Sequence, residues 1–372
     1  MFEDEVQMLR QHGHDVATLY CSNSEATEAS LWGKAKYFWY APWSPIGYGR
    51  MAKAIEEFKP DVVHVHNFFL VFSPYVFKAA YDMQVPVVVT LHNYRMASPC
   101  SQLLRNNKIC EKCVGKNPWR LLLYRCYKDS FLASFLRYRI YYLSRKRYGW
   151  GKYISVFIAL TDFGRAKLIQ SGLPKERVMV ISNSVPEFSN KKNDRAGKGA
   201  LFIGTLSRDK GVTQLVEAWK EIDYPLTIVG TGALLSELQR IAPSQVSFVG
   251  KQSREKVAEY LADCAFLVMP SIWYEGLPLV LLEAMAMRRA IVATGHGAMA
   301  SVVDDGVTGL HFIPEDLNSL KEKINEMITR PLKTKELGEN GYRKYLKLYH
   351  PEEHYQKLIE VYTKSINELK SI

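Results

Sequence analysis

Apolar positions along this chain fall into short, nearly continuous runs, and the stretches between them have helical spacing. The runs read as strands: "HDVATLY" (14–20), "DVVHVH" (61–66), "VPVVVTL" (85–91), "VFIAL" (156–160) and "RVMVIS" (177–182), then "GALFIG" (199–204), "LTIVG" (226–230), "VSFVG" (246–250), "AFLVMP" (265–270) and "AIVAT" (290–294). Many are apolar throughout instead of alternating, as in parallel strands covered on both faces. Helical patterns lie between them, for example over 212–221 and 255–263. Strand and helix in alternation predict α/β structure of the doubly wound kind.

The alternation breaks once. "NKKNDRAGKG" (190–199) is polar and without periodicity, which marks a linker. The chain therefore divides into a first half over 1–188, a linker over 189–198 and a second half over 199–345. A final helical segment over 346–372 is expected to cross back to the first half. Ligands of open α/β sheets bind beyond the C-terminal strand ends, so a cleft between two such domains is the expected site. The beginning departs from this scheme. It reads as a helix, with Phe2, Val6 and Leu9 on one face, where a Rossmann-like half should open on a strand and a glycine-rich turn. Either that first strand lies upstream of Met1, or this half is built differently.

Composition narrows the partners. With 372 residues, 47% apolar and 23% charged, the chain reads as globular and long enough for two cores. Its formal net charge of +11 favours an acidic partner: nucleotide phosphates, nucleic acid or an anionic membrane face. No apolar run approaches the roughly 20 residues of a spanning helix. The acidic start "MFEDEVQMLR" does not read as a secretory signal, and six cysteines in this length fit a reducing cytoplasm.

The segment that carries chemistry is "SIWYEGLPLVLLEAMA" (271–286), where two carboxylates bracket an apolar run. Pro278 fits the first position of a helix running through 278–289, with Leu279, Leu282 and Met285 on its buried face. Glu275 then stands before the helix and Glu283 in its second turn. N–H groups near Leu277, Leu279 and Val280 have no intrahelical acceptor and attract anions. A phosphate cradle with a hydroxyl acceptor on each side matches a nucleotide-sugar. The bland alternative is one glutamate favouring the helix dipole and one exposed glutamate. "FIGTLSRDKG" (202–211) reads as strand, turn and basic pair, with Arg208 and Lys210 able to clamp phosphate oxygens or to be solvated loop residues. Gly230 and Gly232 mark a second strand-to-helix turn. No pair of aspartates sits where a divalent metal would bridge a diphosphate, so no catalytic metal is expected.

These residues resemble a known family. The pattern "GTLSRDKG … IVGTG … VSFVG … PSIWYEGLPLVLLEAMAMRRAIVAT … DDGVTGLHF" is similar to that of the retaining glycosyltransferases of family 4, which have the GT-B fold of two Rossmann-like domains facing a central cleft. The resemblance is strong over 199–314 and weaker over 1–186, and it is closest to bacterial members that build surface polysaccharides. It implies a nucleotide-sugar donor site with Glu283 on the ribose, Glu275 and the backbone from Gly276 through Leu277 and Pro278 to Leu279 on sugar and diphosphate, and Lys210 on phosphate. Gly204, Thr205, Gly230, Val249 and Gly250 complete the donor side, with base contacts from the backbone at 249–252. The family's usual arginine directly after Gly204 is Thr205 here, which leaves Arg208 as its replacement. His92, after "VVVTL", resembles the histidine near the donor sugar. His64 and His66 alternate with valines and either line the acceptor side or pack. The implied activity is transfer of a hexose-type sugar to a saccharide or lipid-linked acceptor. A homologue that binds nucleotide-sugar without transfer is the alternative.

Two features of the first half stand outside the pattern. Cys100, Cys110, Cys113 and Cys126 are spaced C-x9-C-x2-C-x12-C in an insertion over about 98–152, a spacing open to structural zinc, free thiols or disulfides. The segment 119–153 carries Arg120, Arg125, Lys128, Arg137, Arg139, Arg145, Lys146, Arg147 and Lys152 among tyrosines, tryptophans and leucines, with Asp129 its one acid. That composition suits an interfacial helix on an anionic membrane, and hence a cytoplasmic protein peripheral to it, or a basic helix packed on its domain. Basic and aromatic residues together also raise nucleic acid, but no nucleic-acid-binding module is recognisable, and no such partner is expected.

Overall fold

The computed structural model describes residues 1–22, 28, 30–68, 71–127, 129–147, 149–188 and 197–370. Most of the linker expected at 189–198 lies outside the described residues, as does Lys128, and the side chains of Lys146 and Arg147 are not described. The chain forms two compact units: residues 1–103, 110–181 and 355–372 make the first, 104–109 and 182–354 the second.

The first unit is a parallel sheet in the order β1 (Val63–His66), β2 (Val87–Leu91), β5 (Val156–Ala159) and β6 (Val178–Val180). Val88 and Val89 of β2 and Phe157 of β5 have no appreciable exposure, as expected of strands covered on both faces. The opening helix Phe2–Gln11 lays Met8 and Leu9 against Val88, Val156 and Ile158. Leu358, Val361 and Tyr362, from the helix Pro351–Lys370, complete this core. Residues 14–20, expected as a strand, form none among the described residues and are mostly exposed. An extended run becomes a strand only where a neighbour takes its backbone hydrogen bonds, and the local pattern cannot supply that neighbour.

Between β2 and β5 lies the insertion, with little regular structure. A two-residue ribbon pairs β3 (Leu104–Arg105) with β4 (Lys108–Ile109). The basic segment expected as one helix is broken into Arg120–Leu123, Phe131–Tyr142 and Trp150–Tyr153. The break has local causes. Arg125 and Asp129 take positive φ, and Ser130 caps the second helix by accepting from the Ala133 N–H at 3.3 Å.

The second unit has a six-stranded parallel sheet ordered β12 (Gly309–Phe312), β11 (Ala290–Thr294), β10 (Phe266–Met269), β7 (Ala200–Ile203), β8 (Leu226–Val229) and β9 (Val246–Gly250). Its core joins Phe202, Ile228, Phe266 and Val292 of the sheet to Leu215 and Trp219 of the helix Val212–Trp219 and Leu320 and Ile324 of the helix Leu317–Thr329. Strand order reverses between β7 and β10, so the loops after these two neighbours diverge at one point of the sheet's C-terminal edge.

Glycines let those loops touch. Gly211 has φ +67°, and a Cβ there would lie 2.0 Å from the Pro270 carbonyl oxygen, directly after β10. A Cβ on Gly230 would lie 1.9 Å from the Gly204 oxygen, and one on Gly232 2.4 Å from that of Leu206. The loops after β7, β8 and β10 therefore pack backbone against backbone. Gly250, at φ +71°, faces open space. We expect Gly211→Ala to cost at least about 2 kcal/mol, from the left-handed backbone plus the carbonyl clash, and Gly250→Ala only about 1. Denaturant unfolding of the two variants checks this, and equal losses would contradict the close approach.

Candidate active site

In the second unit, the point where strand order reverses is occupied by charge. Lys210, at the end of the single turn Arg208–Lys210 after β7, places Nζ 2.6 Å from Oε1 of Glu275, in the loop after β10. Glu275 is buried and Lys210 mostly so. The same Oε1 accepts a hydrogen bond from the Ser271 hydroxyl at 2.8 Å. Ser271 is itself fixed: its carbonyl accepts from the Thr294 hydroxyl at 2.7 Å and from His296 Nε2 at 3.2 Å. Ile272 N–H donates to the Asp209 carbonyl at 2.9 Å, which ties the two loops together beside the ion pair. The Trp273 ring lies 5.3 Å from Lys210 Nζ, and its indole N–H is buried without a hydrogen-bond partner among the described residues. Burial lowers the His296 pKa, and its hydrogen bond to Ser271 opposes the shift.

Arg208 is exposed on this turn, and Thr205 is exposed just after Gly204. The helix after Glu275 spans Leu279–Ala286, with Pro278 as its N-cap at φ −66°, ψ 116°, not its first residue. Leu279, expected on the buried face, is half-buried, and the buried side chains are Leu281, Leu282, Ala284, Met285 and Ala286. Leu279 and Val280 N–H lie in the first turn of this helix, where the chain offers no helical acceptor. Glu283 sits half-buried in the second turn, Gly276 and Leu277 stand in the loop before the helix, and Val249 and Gly250 end β9.

In the first unit the three histidines form one network. His64 and His66, alternate residues of β1, both approach Oε1 of buried Glu5, at 3.0 and 3.3 Å. His64 Nε2 lies 2.8 Å from the Thr90 hydroxyl and its Nδ1 2.7 Å from the Tyr362 hydroxyl. His66 Nδ1 lies 2.9 Å from Nε2 of His92, which follows β2. With Glu5 ionised and able only to accept, His66 donates through Nε2 and accepts at Nδ1. His92 then donates through Nε2 and keeps a bare Nδ1. His92 lines a small pocket with Asn67, Thr90, Asn93 and Arg95. Its pKa is lowered to about 4, by burial first and by His66 second, so it is neutral at pH 7. Among the described residues Glu5, His64 and His66 are the one group that brings metal-ligand atoms within 4.8 Å, and hydrogen bonds explain their spacing. Cys100, Cys110, Cys113 and Cys126 are not joined by disulfides. Burial, then the other three cysteines, pushes the Cys113 thiol up to about 12.

Comparison with known proteins now decides the family. The model of glycosyltransferase family 4 matches residues 2–187, and that of the group 1 glycosyl transferases matches 186–344. The chain belongs to glycosyltransferase family 4. An uncharacterised glycosyltransferase of Methanocaldococcus jannaschii is 36% identical over 174 residues, which cover 45% of this chain and 48% of that protein. The O-antigen chain mannosyltransferase C of Escherichia coli is 28% identical over 169 residues, 44% of this chain and 46% of the other. Each match thus spans about half the relative's length. Among solved structures, sucrose-phosphate synthase of Thermosynechococcus elongatus superposes with a TM-score of 0.69 at 17% identity, covering 98% of this chain and 92% of the other. Anabaena HepE, in complex with UDP and glucose, gives a TM-score of 0.62 at 17% identity, covering 96% and 88%. These likenesses establish the GT-B fold.

For a family 4 glycosyltransferase, sequence reasoning located Lys210 and Glu275 but treated them as separate contacts. It missed Ser271, Trp273, Thr294 and His296 around them, and Glu5 beneath the histidines. Ser271, four residues before Glu275, was the one with a visible signal.

The His92 environment fixes an acid limb of stability. The unfolded chain takes up this proton near the ordinary histidine value of 6.5, the folded chain only near 4. Stability from this site is therefore complete above pH 6.5 and is lost as pH falls toward 4. We expect His92→Gln to flatten the loss between pH 7 and pH 5 by about 2 kcal/mol in urea unfolding. An unchanged pH dependence would remove the assignment.

Proposed function

We propose that this protein transfers a hexose-type sugar from a nucleotide-sugar donor, with retention of anomeric configuration, to a saccharide or lipid-linked acceptor in bacterial surface polysaccharide assembly. The observation that carries the reading is the Lys210–Glu275 pair at the point where strand order reverses, the position at which open α/β sheets bind ligands. The mannosyltransferase relative acts in O-antigen chain assembly and HepE carries UDP and glucose, which supports the same class of donor and product here.

The paired charges suit both ends of such a donor. Lys210 and exposed Arg208 receive the diphosphate, joined by the N–H groups that open the helix Leu279–Ala286. Glu275, released from Lys210 and held by Ser271, accepts hydrogen bonds from sugar hydroxyls, and Glu283 does so from the ribose. In transfer, the bond from the anomeric carbon to the diphosphate oxygen breaks, and its electron pair leaves with the diphosphate. The acceptor hydroxyl oxygen bonds to that carbon from the same face, and its proton passes to the departing phosphate oxygen. Lys210 and Arg208 stabilise the charge that develops on the leaving group, so the positive charge comes from side chains and no divalent metal is invoked. Neutral His92, with a bare Nδ1, is suited to orient a hydroxyl by accepting its proton in a hydrogen bond.

A lipid-linked acceptor calls for a membrane face, and the first unit offers one. No helix among the described residues is long and apolar enough to cross a bilayer. Large apolar side chains are instead exposed along its surface: Trp32 and Trp39 of the helix Leu31–Tyr40, and Leu123, Phe131, Leu132 and Phe135 of the basic segment. Arg139 joins the two stretches, its guanidinium 4.4 Å from the Trp39 ring and donating to the Trp39 carbonyl at 3.1 Å. Exposed aromatic and leucine side chains among arginines match an anionic interface, where the rings enter the headgroup layer and the cations stay with the lipid charge.

We expect one of UDP, GDP or ADP to bind in calorimetric titration and Glu283→Ala to abolish that binding. Lys210→Ala should lower turnover by about 10²-fold or more with circular dichroism unchanged. Near-normal rates in both folded variants would overturn the donor-site reading. In liposome flotation the protein should rise with vesicles containing anionic lipid, and Leu132→Asp should reduce that fraction severalfold. Flotation independent of lipid charge, or unaffected by Leu132→Asp, would refute this membrane face.

A further inference from the structure

Four of the six cysteines lie in the insertion, and the fold gathers them. Cys100 follows the turn Tyr94–Met96, its Sγ 3.2 Å from the Ser98 hydroxyl. Asn106 and Asn107, both at positive φ, close the β3–β4 ribbon, and Cys110 N–H donates to the Leu103 carbonyl at 2.7 Å as the chain leaves it. The next turn carries Cys113, which is buried. Lys167 Nζ holds that turn through Glu111 at 2.6 Å. Cys126 ends the short helix Arg120–Leu123, its N–H donating to the Leu121 carbonyl at 3.1 Å. Arg137 reaches the Ser101 hydroxyl, next to Cys100, at 3.5 Å and the Tyr127 ring, next to Cys126, at 4.7 Å, and Arg120 donates to the Lys112 carbonyl, next to Cys113, at 3.4 Å, so the stretches that carry the thiols pack together.

Two guanidinium groups stand among these stretches, those of Arg120 and Arg137. Arg137 is half-buried, and its Nε is withdrawn from solvent with no hydrogen-bond partner among the described residues. Withdrawn charge of this kind is costly unless it is compensated. Four thiolates around a divalent cation carry a net charge of about −2, which supplies that compensation. The segment also buries Leu103 and Leu121 completely while containing only two- and four-residue elements. Loop-rich segments with so little regular structure are commonly held by a cross-link or a metal.

We propose that Cys100, Cys110, Cys113 and Cys126 bind one structural zinc ion as a tetrahedral all-cysteine site that organises the segment between residues 98 and 130. The C-x2-C turn after a tight ribbon supplies one half-site, and Cys100 and Cys126 supply the other. Tetrahedral zinc sets its sulfurs about 3.8 Å apart. The thiols here are gathered more loosely, since among the described residues only Glu5, His64 and His66 bring ligand atoms within 4.8 Å. Closure is work for χ1 rotation, which carries a sulfur by about 3 Å per rotamer step. Binding requires the thiols to lose their protons, so the ion is released in acid.

The test is the metal content of the full chain purified in reducing buffer without added metal. One zinc per chain is expected. Cobalt exchange should give an intense thiolate-to-metal charge-transfer band. Cys113→Ser should lose the zinc, and Cys21→Ser should keep it. Because Cys113→Ser also risks misfolding, the wild-type protein is melted with and without a strong chelator. The chelator should lower the melting temperature, and zinc should restore it. Fewer than about one zinc per ten chains of folded protein would overturn the proposal. So would zinc that survives Cys113→Ser, or cobalt spectra without sulfur, either of which would point to the Glu5, His64 and His66 group.

Discussion

Gly211 has no side chain, and the Pro270 carbonyl occupies the space a Cβ would take. That contact brings the loops after β7 and β10 together. Lys210 is the residue before Gly211, and Glu275 lies five residues beyond Pro270, so their meeting is a consequence of the backbone approach. The carboxylate is buried, which makes it costly without a partner, and Lys210 with Ser271 meets that need. In the proposed function this pair is the donor site in its closed form. A ligand that offers phosphate to the lysine and hydroxyls to the glutamate replaces each interaction with one of the same kind.

The first unit solves a related problem with neutral and ionisable rings. Glu5, on the opening helix, lies beneath both histidines of β1, and its acceptor-only character sets the proton positions outward through His66 to His92. Tyr362, from near the end of the chain, and Thr90 hold His64 from other sides. A network closed this way rigidifies its members. What reaches the pocket is a single imidazole, that of His92.

The insertion between β2 and β5 has a different character. Its short elements cannot bury enough surface to hold themselves, and the four thiols offer the means to do so. Its outer face keeps apolar side chains in solvent beside arginines, an arrangement explained by a neighbour instead of by folding. In the two proposals one stretch of sequence joins a metal site to a membrane face.

Local pattern alone determined much of this protein. Nine of the ten runs read as strands are strands, because parallel strands covered on both faces need continuous apolar residues, and that need is written residue by residue. The acidic and basic motifs at 208–210 and 275–283 were legible because charged residues next to apolar runs stand out locally, and the structure brings Lys210 to Glu275. Residues 14–20 failed because a strand depends on a neighbour, and β12 escaped because Gly309 and His311 interrupt its apolar run. Tertiary structure alone decided that Lys210 pairs with Glu275 across 65 positions, that Ser271, Thr294 and His296 stand behind them, and that Glu5 governs His92 through His66. Those choices arise where separate strands end side by side. The order of strands in a sheet is set by how whole elements pack, and no local run of residues encodes it.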